Sequence, residues 1–340
     1  MIDRIPPFAR SLLALAALLS PALLHAAPPE RLVIGVEAKL GLSIVDPAAE
    51  NQRLWNHPLG AVHDLHLLPN GNFLTQDGYK KLVELNLAGE TVWSYDATIQ
   101  NAPDATTKFE IHSYQRLADG STLIAESGRS RVIEVDSAGA LLRQFPLAVS
   151  ASKAHSDTRL VRKLDNGHLL VAHEADQMVK EYDAEGKVVW EYAIPLFGKE
   201  PAPGHGPEAF GGRCFAALRT ARGTTLITTG NGHSVLEVSP AGELLWELHQ
   251  NDLPGITLAW VTTIAETVDG TLMIGNCHAG PENPQIIEVS REKEVLWSYR
   301  DFTNFGNSLA NTLVLDGEPA RNLRAALAQL PKVAKVAKRE

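Results

Sequence analysis

The residues best suited to chemistry in this 340-residue sequence are two histidines and an arginine at the same place in three successive repeats. His63, His112 and Arg159 each stand eight residues before a turn glycine, in stretches such as VHDLHLLPNG and IHSYQRLADG. Arginine presents a fixed fork of N–H donors, and histidine donates, accepts or attacks as a nucleophile. Three such side chains on neighbouring strands predict an anion-binding site, with His63 and His112 as candidate catalytic residues.

Further polar and aromatic side chains are expected at the same end of these strands. They stand two residues before the aligned position, six residues after the turn glycine, or in the connecting loops. The candidate ligand-binding residues are Arg159, His155, His173, Arg213, Trp260, Glu126, Asn276 and His278. By this register, most of the 12 histidines converge on one rim of the fold.

A metal site is a second interpretation of part of this set. Asp77, Glu126 and His173 stand six residues after three successive turn glycines, and histidine and carboxylate ligands suit divalent ions. No HExxH or similar short spacing accompanies them, and the two cysteines lack the spacing of a zinc or haem motif. We therefore expect no cofactor. A divalent ion bound by these three residues remains an open alternative.

The strands that position these residues are predicted from a repeated motif of a dozen residues. EYDAEGKVVWEY is the clearest copy, and relatives such as ELNLAGETVWSY and EVSPAGELLWEL recur along the chain. Each copy alternates apolar and polar residues on both sides of a turn, which predicts a two-stranded hairpin. A second hairpin, such as KLDNGHLLV, precedes most copies. The resulting four-stranded unit, repeated every ~40 to 55 residues, is typical of a propeller blade.

The two ends of the chain each carry part of such a unit. LVLDG, ending at Gly317, is an inner strand without a following partner, whereas the first phrase has only LVIGVEA before it. Joining the two parts closes a ring and removes the exposed sheet edges of an open array. The sequence therefore predicts an all-β fold, a six-bladed β-propeller of four-stranded blades. Residues 32–57 would supply three outer strands beside the inner strand at 307–316.

The N-terminal segment differs from the repeats. A charged start precedes the apolar run LLALAALLSPALL and the small-residue stretch HAAPPE, which is the pattern of a secretory signal peptide. Pro21 interrupts the apolar run, which is too short to span a bilayer. We predict a signal peptide at residues 1–26, the propeller at 27–317 and a basic helix and tail at 318–340. The protein would be periplasmic or secreted.

Charge and cysteine content limit the partners. The formal net charge is −9 at pH 7, and an acidic body repels nucleic acid and anionic membranes. We expect a monomer without a membrane span, whose partner is a small molecule or a protein. Cys214 and Cys277 lie on the same rim of neighbouring blades by the repeat register. An exported protein can oxidise such a pair, so a disulfide and two buried free thiols both stay open.

Two family resemblances accompany these motifs. YDAEGKVVWEY and VSPAGELLWEL resemble the repeats of PQQ-like propellers, and VHDLHLLPNGNFL resembles the blade starts of arylsulfotransferase-like proteins. The second resemblance implies a six-bladed exported protein in which a central histidine accepts a sulfuryl group. His63, His112 and Arg159 would correspond by position. Pyrroloquinoline quinone itself is not expected, because the large quinoprotein dehydrogenases have eight blades and adjacent cysteines.

Two functions are compatible with these observations. One is a propeller that binds a small anionic or aromatic ligand, or a partner, at the loop-rich face around the central axis. The other is an arylsulfotransferase-like group-transfer enzyme that uses the central histidines. The fold does not choose between them, because propellers host many unrelated functions. If the histidines hold an anion as imidazolium, binding should weaken as the pH rises through about 6.5.

Overall fold

The computed structural model describes residues 28–37, 40–101 and 107–330. Their strands form six antiparallel sheets of four strands each, which confirms the predicted six-bladed β-propeller. The predicted signal peptide at 1–26 and the last ten residues, 331–340, lie outside the described residues. Within the described ranges, no helix has both the length and the apolar character needed to cross a membrane.

The strands follow the chain in order. The first three are β1 Arg31–Val36, β2 Leu42–Asp46 and β3 Gln52–His57. Blade 1 comprises β4 His66–Leu67, β5 Phe73–Gln76, β6 Lys81–Leu85 and β7 Thr91–Asp96. Blade 2 comprises β8 Glu110–Arg116, β9 Thr122–Ser127, β10 Arg131–Val135 and β11 Leu141–Pro146. Blade 3 comprises β12 Val161–Lys163, β13 Leu169–His173, β14 Met178–Tyr182 and β15 Val188–Ala193.

The remaining elements complete the ring. Blade 4 comprises β16 Ala216–Arg219, β17 Thr225–Thr228, β18 Val235–Val238 and β19 Leu244–Leu248. Blade 5 comprises β20 Trp260–Glu266, β21 Leu272–Cys277, β22 Ile286–Val289 and β23 Val295–Tyr299. The last elements of the described residues are α1 Phe302–Phe305, β24 Leu309–Leu315 and α2 Gly317–Gln329. The helix α2 covers much of the segment predicted as a helix and tail.

Blade 6 combines both ends of the chain, as predicted. Its strand order is β24-β1-β2-β3, and β1 pairs antiparallel with β24, with Leu32 opposite Val314 and Ile34 opposite Thr312. The C-terminal strand is therefore the innermost strand of a blade whose outer strands come from the N-terminal region. This pairing closes the ring and leaves no open first or last blade.

Glycine sets the turn between the two innermost strands of each complete blade. The five turn glycines share φ values between +81° and +87°, and they are Gly71, Gly120, Gly167, Gly223 and Gly270. Side chains with a Cβ are strained in this region, so glycine is favoured. Gly317, the sixth aligned glycine, has φ +59° and begins α2 instead of a hairpin, because the next strand of blade 6 comes from the other end of the chain.

The repeated tryptophan joins some of the blades to the next blade. Trp93 Nε1 in blade 1 donates to the carbonyl oxygen of Ser137 in blade 2 at 2.8 Å. Trp246 in blade 4 donates in the same way to Arg291 in blade 5 at 2.7 Å. Arg116 places its guanidinium 4.6 Å from the centroid of the Trp93 ring. These contacts tie the outer hairpins of neighbouring blades together.

A buried ion pair joins the inner strands at the centre of the ring. Asp64 has no solvent exposure, and its carboxylate accepts two hydrogen bonds from Arg162, at 2.7 and 2.8 Å. Ser113 Oγ and Asn311 Nδ2 also donate to it, at 2.8 and 3.2 Å. Burial alone would raise the pKa of Asp64, but Arg162 outweighs burial and lowers it well below its ordinary value. The four residues belong to blades 1, 2, 3 and 6, so this network holds the centre beside the candidate site.

Candidate functional site

Three histidines and two glutamates meet at the loop-rich rim, and we call them the histidine cluster: His63, His112, His155, Glu37 and Glu110. The ring centroids of His63 and His112 are 4.7 Å apart, and those of His112 and His155 are 5.5 Å apart. The rings of His63 and His155 are separated by 6.1 Å. Residues from blades 1, 2 and 6 and from the loop before blade 3 therefore share one site.

Strand ends and one bulge position the histidine cluster. Glu37 directly follows β1, and His63 lies on the segment that enters blade 1. In blade 2, the pairing of β8 with β9 shifts between Ile111 and Ser113, so His112 is the extra residue of a β-bulge. Bulges re-aim side chains and are common beside functional sites. The fold thus places His112 at the rim through a local departure from regular pairing.

Glu37 and His63 form a carboxylate–imidazole pair. His63 Nε2 donates to Glu37 Oε1, and His63 is only 1% exposed. Burial lowers the pKa of His63 below its ordinary value. Burial would raise the pKa of Glu37, but the hydrogen bond and charge of His63 outweigh it and lower that pKa to about 2. His63 Nδ1 is buried and has no hydrogen-bond partner among the described residues.

Both ring nitrogens of His112 face hydrogen-bond acceptors. Nδ1 lies 2.9 Å from the carbonyl oxygen of Thr158, and Nε2 lies 2.9 Å from Glu110 Oε2. Burial and then the positive charge of Arg159 lower the pKa of His112 to about 3. The ring is therefore neutral near pH 7 and carries a single N–H. One of its two contacts lacks a hydrogen.

Glu110 also contacts the third histidine. His155 Nδ1 lies 2.8 Å from the same oxygen, Glu110 Oε2, and the His155 side chain is 57% exposed. Burial opposes ionisation of Glu110, but hydrogen bonds from His112 and His155 outweigh it and lower the pKa of the carboxyl group well below its usual value. The Tyr79 ring lies 6.0 Å from the His155 ring. His155 is thus the histidine of the cluster that is open to solvent.

A cavity of about 280 Å³ opens beside the cluster. Glu37 and His155 line it on one side, and Arg159 lines it as well. Trp260 forms part of the wall, and the centroid of its ring is 4.8 Å from that of His205. The cavity therefore combines ionisable groups with an aromatic wall, which is the usual composition of a small-ligand site.

Arg159 brings positive charge to this cavity. The side chain is nearly buried, its Nε donates to Glu174, and its guanidinium carbon lies 5.5 Å from the centre of the Phe215 ring. Its two terminal nitrogens make no hydrogen bond to any described residue. Arg213 Nη1 lies 3.6 Å from the other oxygen of Glu174. Two guanidinium groups share one carboxylate, so this side of the cavity carries a net positive charge.

The structure brings most of the predicted site residues to this rim. They are His63, His112, His155, Arg159, Arg213, Trp260 and His278. His63 and His112 differ from the expectation in one respect, because each presents Nε2 to a carboxylate. Neither of these nitrogens is free to donate to an anion in the cavity.

Three other predicted binding residues do not line the cavity. Glu126 is fully buried and accepts from Arg131 at 2.6 Å. His173 Nε2 lies 2.8 Å from the hydroxyl of Tyr182, and its Nδ1 contacts a backbone carbonyl. The side chain of Asn276 bonds only backbone groups of nearby loops. Internal partners therefore occupy the polar atoms of all three side chains, which hold strands and loops in place.

The metal set considered from the sequence is not brought together. Asp77 accepts from the backbone of Gly60, far from a shared position with Glu126 and His173. Within the described part of the chain, one group of His, Cys, Asp or Glu side chains is close enough to hold a metal ion. That group is Glu110, His112 and His155.

Three acidic site residues escaped the sequence-based selection: Glu37, Glu110 and Glu174. Glu110 stands two residues before the aligned histidine of blade 2, so the repeat alignment contained a usable signal for it. Glu174 directly follows β13 and Glu37 directly follows β1, so each stands where a second or outer strand reaches the rim. His63 is 26 residues from Glu37 and His155 is 45 residues from Glu110, and only the fold reveals these two pairings.

The two cysteines are buried free thiols. Cys214 Sγ lies 3.2 Å from the carbonyl oxygen of Met178, and Cys277 Sγ lies 3.3 Å from that of Asn307. Burial raises the pKa of both thiols well above the ordinary value. Of the two alternatives left open by the sequence, this structure has the free thiols.

A second cavity, of about 490 Å³, lies between α2 and the turn at residues 67–71. Leu68, Leu323 and Ala326 are among its lining residues, and no histidine, cysteine, lysine or arginine lines it. This second cavity is therefore less suited to chemistry than the cavity beside the histidine cluster.

Comparisons with known proteins support the fold. No family model and no curated protein matches the chain. The chain is similar to the solved structure of a protein of unknown function from Bacteroides caccae, with a TM-score of 0.69, 20% identity, and coverage of 84% of this chain and 98% of that chain. It is also similar to a streptogramin B lyase, with a TM-score of 0.53, 11% identity, and coverage of 82% and 86%.

A third similar structure is a catalytically inactive variant of virginiamycin B lyase from Staphylococcus aureus with quinupristin. Its TM-score is 0.52 at 11% identity, and the match covers 82% of this chain and 87% of that chain. At such identities the likeness shows the propeller fold alone. The PQQ-like and arylsulfotransferase-like resemblances stay predictions.

Proposed function

We propose that this propeller binds a small aromatic ligand with one anionic group in the cavity at its loop-rich rim. The observation that carries the proposal is Arg159, which is buried and lines the cavity with two terminal nitrogens free of partners among the described residues. A carboxylate or sulfate would accept two parallel hydrogen bonds from this planar fork.

The aromatic side chains that line the cavity favour a ligand with an aromatic ring. Trp260 and Phe215 belong to one cluster of buried residues and both line the cavity. The centroids of the His205 and His278 rings are 5.3 Å apart, and His205 also contacts Trp260. Aromatic faces pack well against flat, apolar ligands. A volume near 280 Å³ suits a ligand of one or two rings.

The charges around the cavity limit the ligand further. Arg159, Arg213 and Glu174 together leave one net positive charge. Glu37, which lines the cavity, and Glu110, which contacts His155 in its wall, add two carboxylates, and the lowered pKa of each keeps it ionised at neutral pH. Like charges repel strongly at such short range in a partly buried site. We therefore infer a ligand with a single anionic group.

Group transfer is the alternative function, and the geometry favours His155 for it over His63 and His112. His63 Nδ1 is buried, and both nitrogens of His112 contact acceptors. His155 is largely exposed, lines the cavity and leaves Nε2 without a hydrogen bond to the described residues. An imidazole oriented by a carboxylate is a common general base. If the site is catalytic, His155 is the proposed base and Glu110 its positioning residue.

The cellular setting also belongs to the proposal. We infer an exported protein, because residues 1–26 carry a signal-peptide pattern, and we propose that it is a monomer. A small molecule is the proposed partner, with a protein partner as the alternative and no role for nucleic acid. The acidic net charge argues against a nucleic-acid partner.

Calorimetry with singly charged aromatic anions, such as benzoate, phenyl sulfate and p-nitrophenyl sulfate, tests the binding proposal. Arg159→Met should weaken binding about tenfold or more, because a hydrogen bond to a charged group contributes about 1.5–3 kcal/mol. Arg143→Met changes an exposed arginine on β11 and should leave the affinity unchanged. Binding by Arg159→Met equal to wild type, or no binding of the whole series by wild type, would contradict the proposal.

The same series distinguishes binding from group transfer. Release of nitrophenol from p-nitrophenyl sulfate in the presence of a phenol acceptor would support the transferase alternative. His155→Gln should then abolish turnover while retaining ligand affinity. Ligand binding without nitrophenol release would support the binding function alone.

A further inference from the structure

We propose that Glu110, His112 and His155 bind one divalent transition-metal ion at the rim of the propeller. The proposal goes beyond the ligand site at Arg159 and does not depend on it. It starts from three donor atoms, one from each residue, that all lie within 4.8 Å of one another. These residues come from β8 and from the loop between β11 and β12, so two separate segments supply the donors.

The distances suit a metal ion between the donors. His112 Nε2 and His155 Nδ1 lie 2.9 and 2.8 Å from a single oxygen, Glu110 Oε2. Tetrahedral zinc, with bonds of about 2.0–2.1 Å, holds its ligand atoms about 3.3 Å apart. An outward shift of about half an ångström between these side chains would therefore accommodate the ion, and the His155 side chain is 57% exposed.

The hydrogen bonds of His112 support a cation at this position. Both ring nitrogens of His112 face groups that only accept hydrogen bonds, the carbonyl oxygen of Thr158 and the carboxylate of Glu110. With a metal ion bound at Nε2, the ring keeps its hydrogen on Nδ1 and donates it to Thr158. Histidines that bind metals usually donate their other N–H to a backbone carbonyl or a carboxylate, and Thr158 supplies that acceptor here.

The donor types select the class of ion. Two imidazole nitrogens and one carboxylate oxygen suit Zn²⁺ or Co²⁺, whereas Ca²⁺ and Mg²⁺ prefer oxygen ligands. Glu110 and Glu37 attract a cation, and Arg159 repels it. Three protein ligands leave a tetrahedral ion one further position. Because His155 lines the cavity, that position would open toward the ligand site.

Metal titration of the full chain, without any anionic ligand, tests the proposal. After dialysis against EDTA, calorimetry with ZnCl₂ should give one ion per chain, and Co²⁺ should give the visible absorption of a site with nitrogen ligands. Glu110→Gln removes the charge at nearly constant shape, and His155→Ala removes an exposed ligand. Each should raise the Zn²⁺ dissociation constant at least about tenfold.

His205→Ala is the matched control, because His205 lies on the same rim and outside the three donors. It should bind Zn²⁺ as wild type does, and circular dichroism should show that all variants keep their fold. Absence of a one-to-one site, or wild-type affinity in both Glu110→Gln and His155→Ala, would overturn the proposal. Since aromatic anions are absent from this titration, failure here leaves the Arg159 site standing, and failure at Arg159 leaves this site standing.

Discussion

Asp64→Asn should destabilise the whole propeller, although Asp64 contacts no proposed ligand. Asparagine has nearly the same shape, but it removes the negative charge and places an amide group opposite the donors of Arg162. The two hydrogen bonds from Arg162, at 2.7 and 2.8 Å, lose their charged acceptor, and Ser113 loses part of its partner. Breaking one side of a buried ion pair costs about 3–5 kcal/mol, and we expect the lower end of this range because the Arg162 side chain is 25% exposed. For a domain of this size we expect a fall in melting temperature of about 10 °C.

Thermal and guanidinium denaturation, followed by circular dichroism at pH 7, measure this loss. Asp165→Asn is the control, because Asp165 is exposed in the inner turn of blade 3 and should change stability by less than about 0.5 kcal/mol. In a double-mutant cycle, Arg162→Met in the Asp64→Asn background should destabilise less than Arg162→Met alone. Equal melting temperatures for Asp64→Asn and Asp165→Asn would refute the argument that the Asp64–Arg162 pair holds the inner strands together.

The difference in stability between wild type and Asp64→Asn should depend on pH, and the direction of the change can be worked out. Because Arg162 lowers the pKa of Asp64 in the folded state, the stabilisation is present above the unfolded-state pKa, which is about 3.9. It is lost as the pH falls toward the folded-state pKa. Wild type should therefore lose stability faster than Asp64→Asn below about pH 4. A difference that stays constant from pH 7 to pH 3 would contradict this reasoning.

Four further predictions follow from the fold and the site. Deleting residues 307–340 should abolish the cooperative melt, because β24 is the inner strand of blade 6; a truncated chain with a full cooperative transition would contradict ring closure. Anion affinity should change less than about threefold between pH 6 and pH 8, because the proposed donor is the guanidinium of Arg159, and burial lowers the pKa of His112 to about 3 and that of His63 below its ordinary value; calorimetry showing a tenfold loss across pH 6.5 would instead indicate imidazolium donors. Mass spectrometry of exported protein should find Ala27 at the N-terminus, and an intact Met1 would reverse the predicted location. Cys214 and Cys277 should resist alkylation until the protein is denatured, because both thiols are buried.

The repeats predicted the architecture well because their signals are local. Alternating residues define each strand, and a glycine with positive φ defines each inner turn, so both can be read within a dozen residues. Ring closure also followed, since Leu32 and Val314 belong to the two incomplete units at the chain ends and pair in the structure. The repeat register also placed His63 and His112 near one another.

The carboxylates at the rim and at the centre of the ring were harder to predict. Asp64 directly follows His63, in a column where the other blades carry Ser113, Leu160, Ala216, Thr263 and Ala310. A lone acidic residue in that column was a signal, but its partner Arg162 is 98 residues away. For His173 the prediction was wrong in the other direction. The repeat register predicted a binding residue at the rim, but its ring nitrogens contact the Asp157 carbonyl oxygen and the Tyr182 hydroxyl.

The sequence by itself determined the blades, their number and the closure of the ring, because hydrophobic alternation and turn chemistry act between neighbouring residues. Only the tertiary structure decided that Glu37 would meet His63 across 26 residues and that Glu110 would meet His155 across 45. These pairings depend on how loops and one β-bulge settle against adjacent blades. A shift of a single residue in pairing would turn each side chain to the other face of its sheet. The chemistry of the rim is therefore a property of the assembled ring.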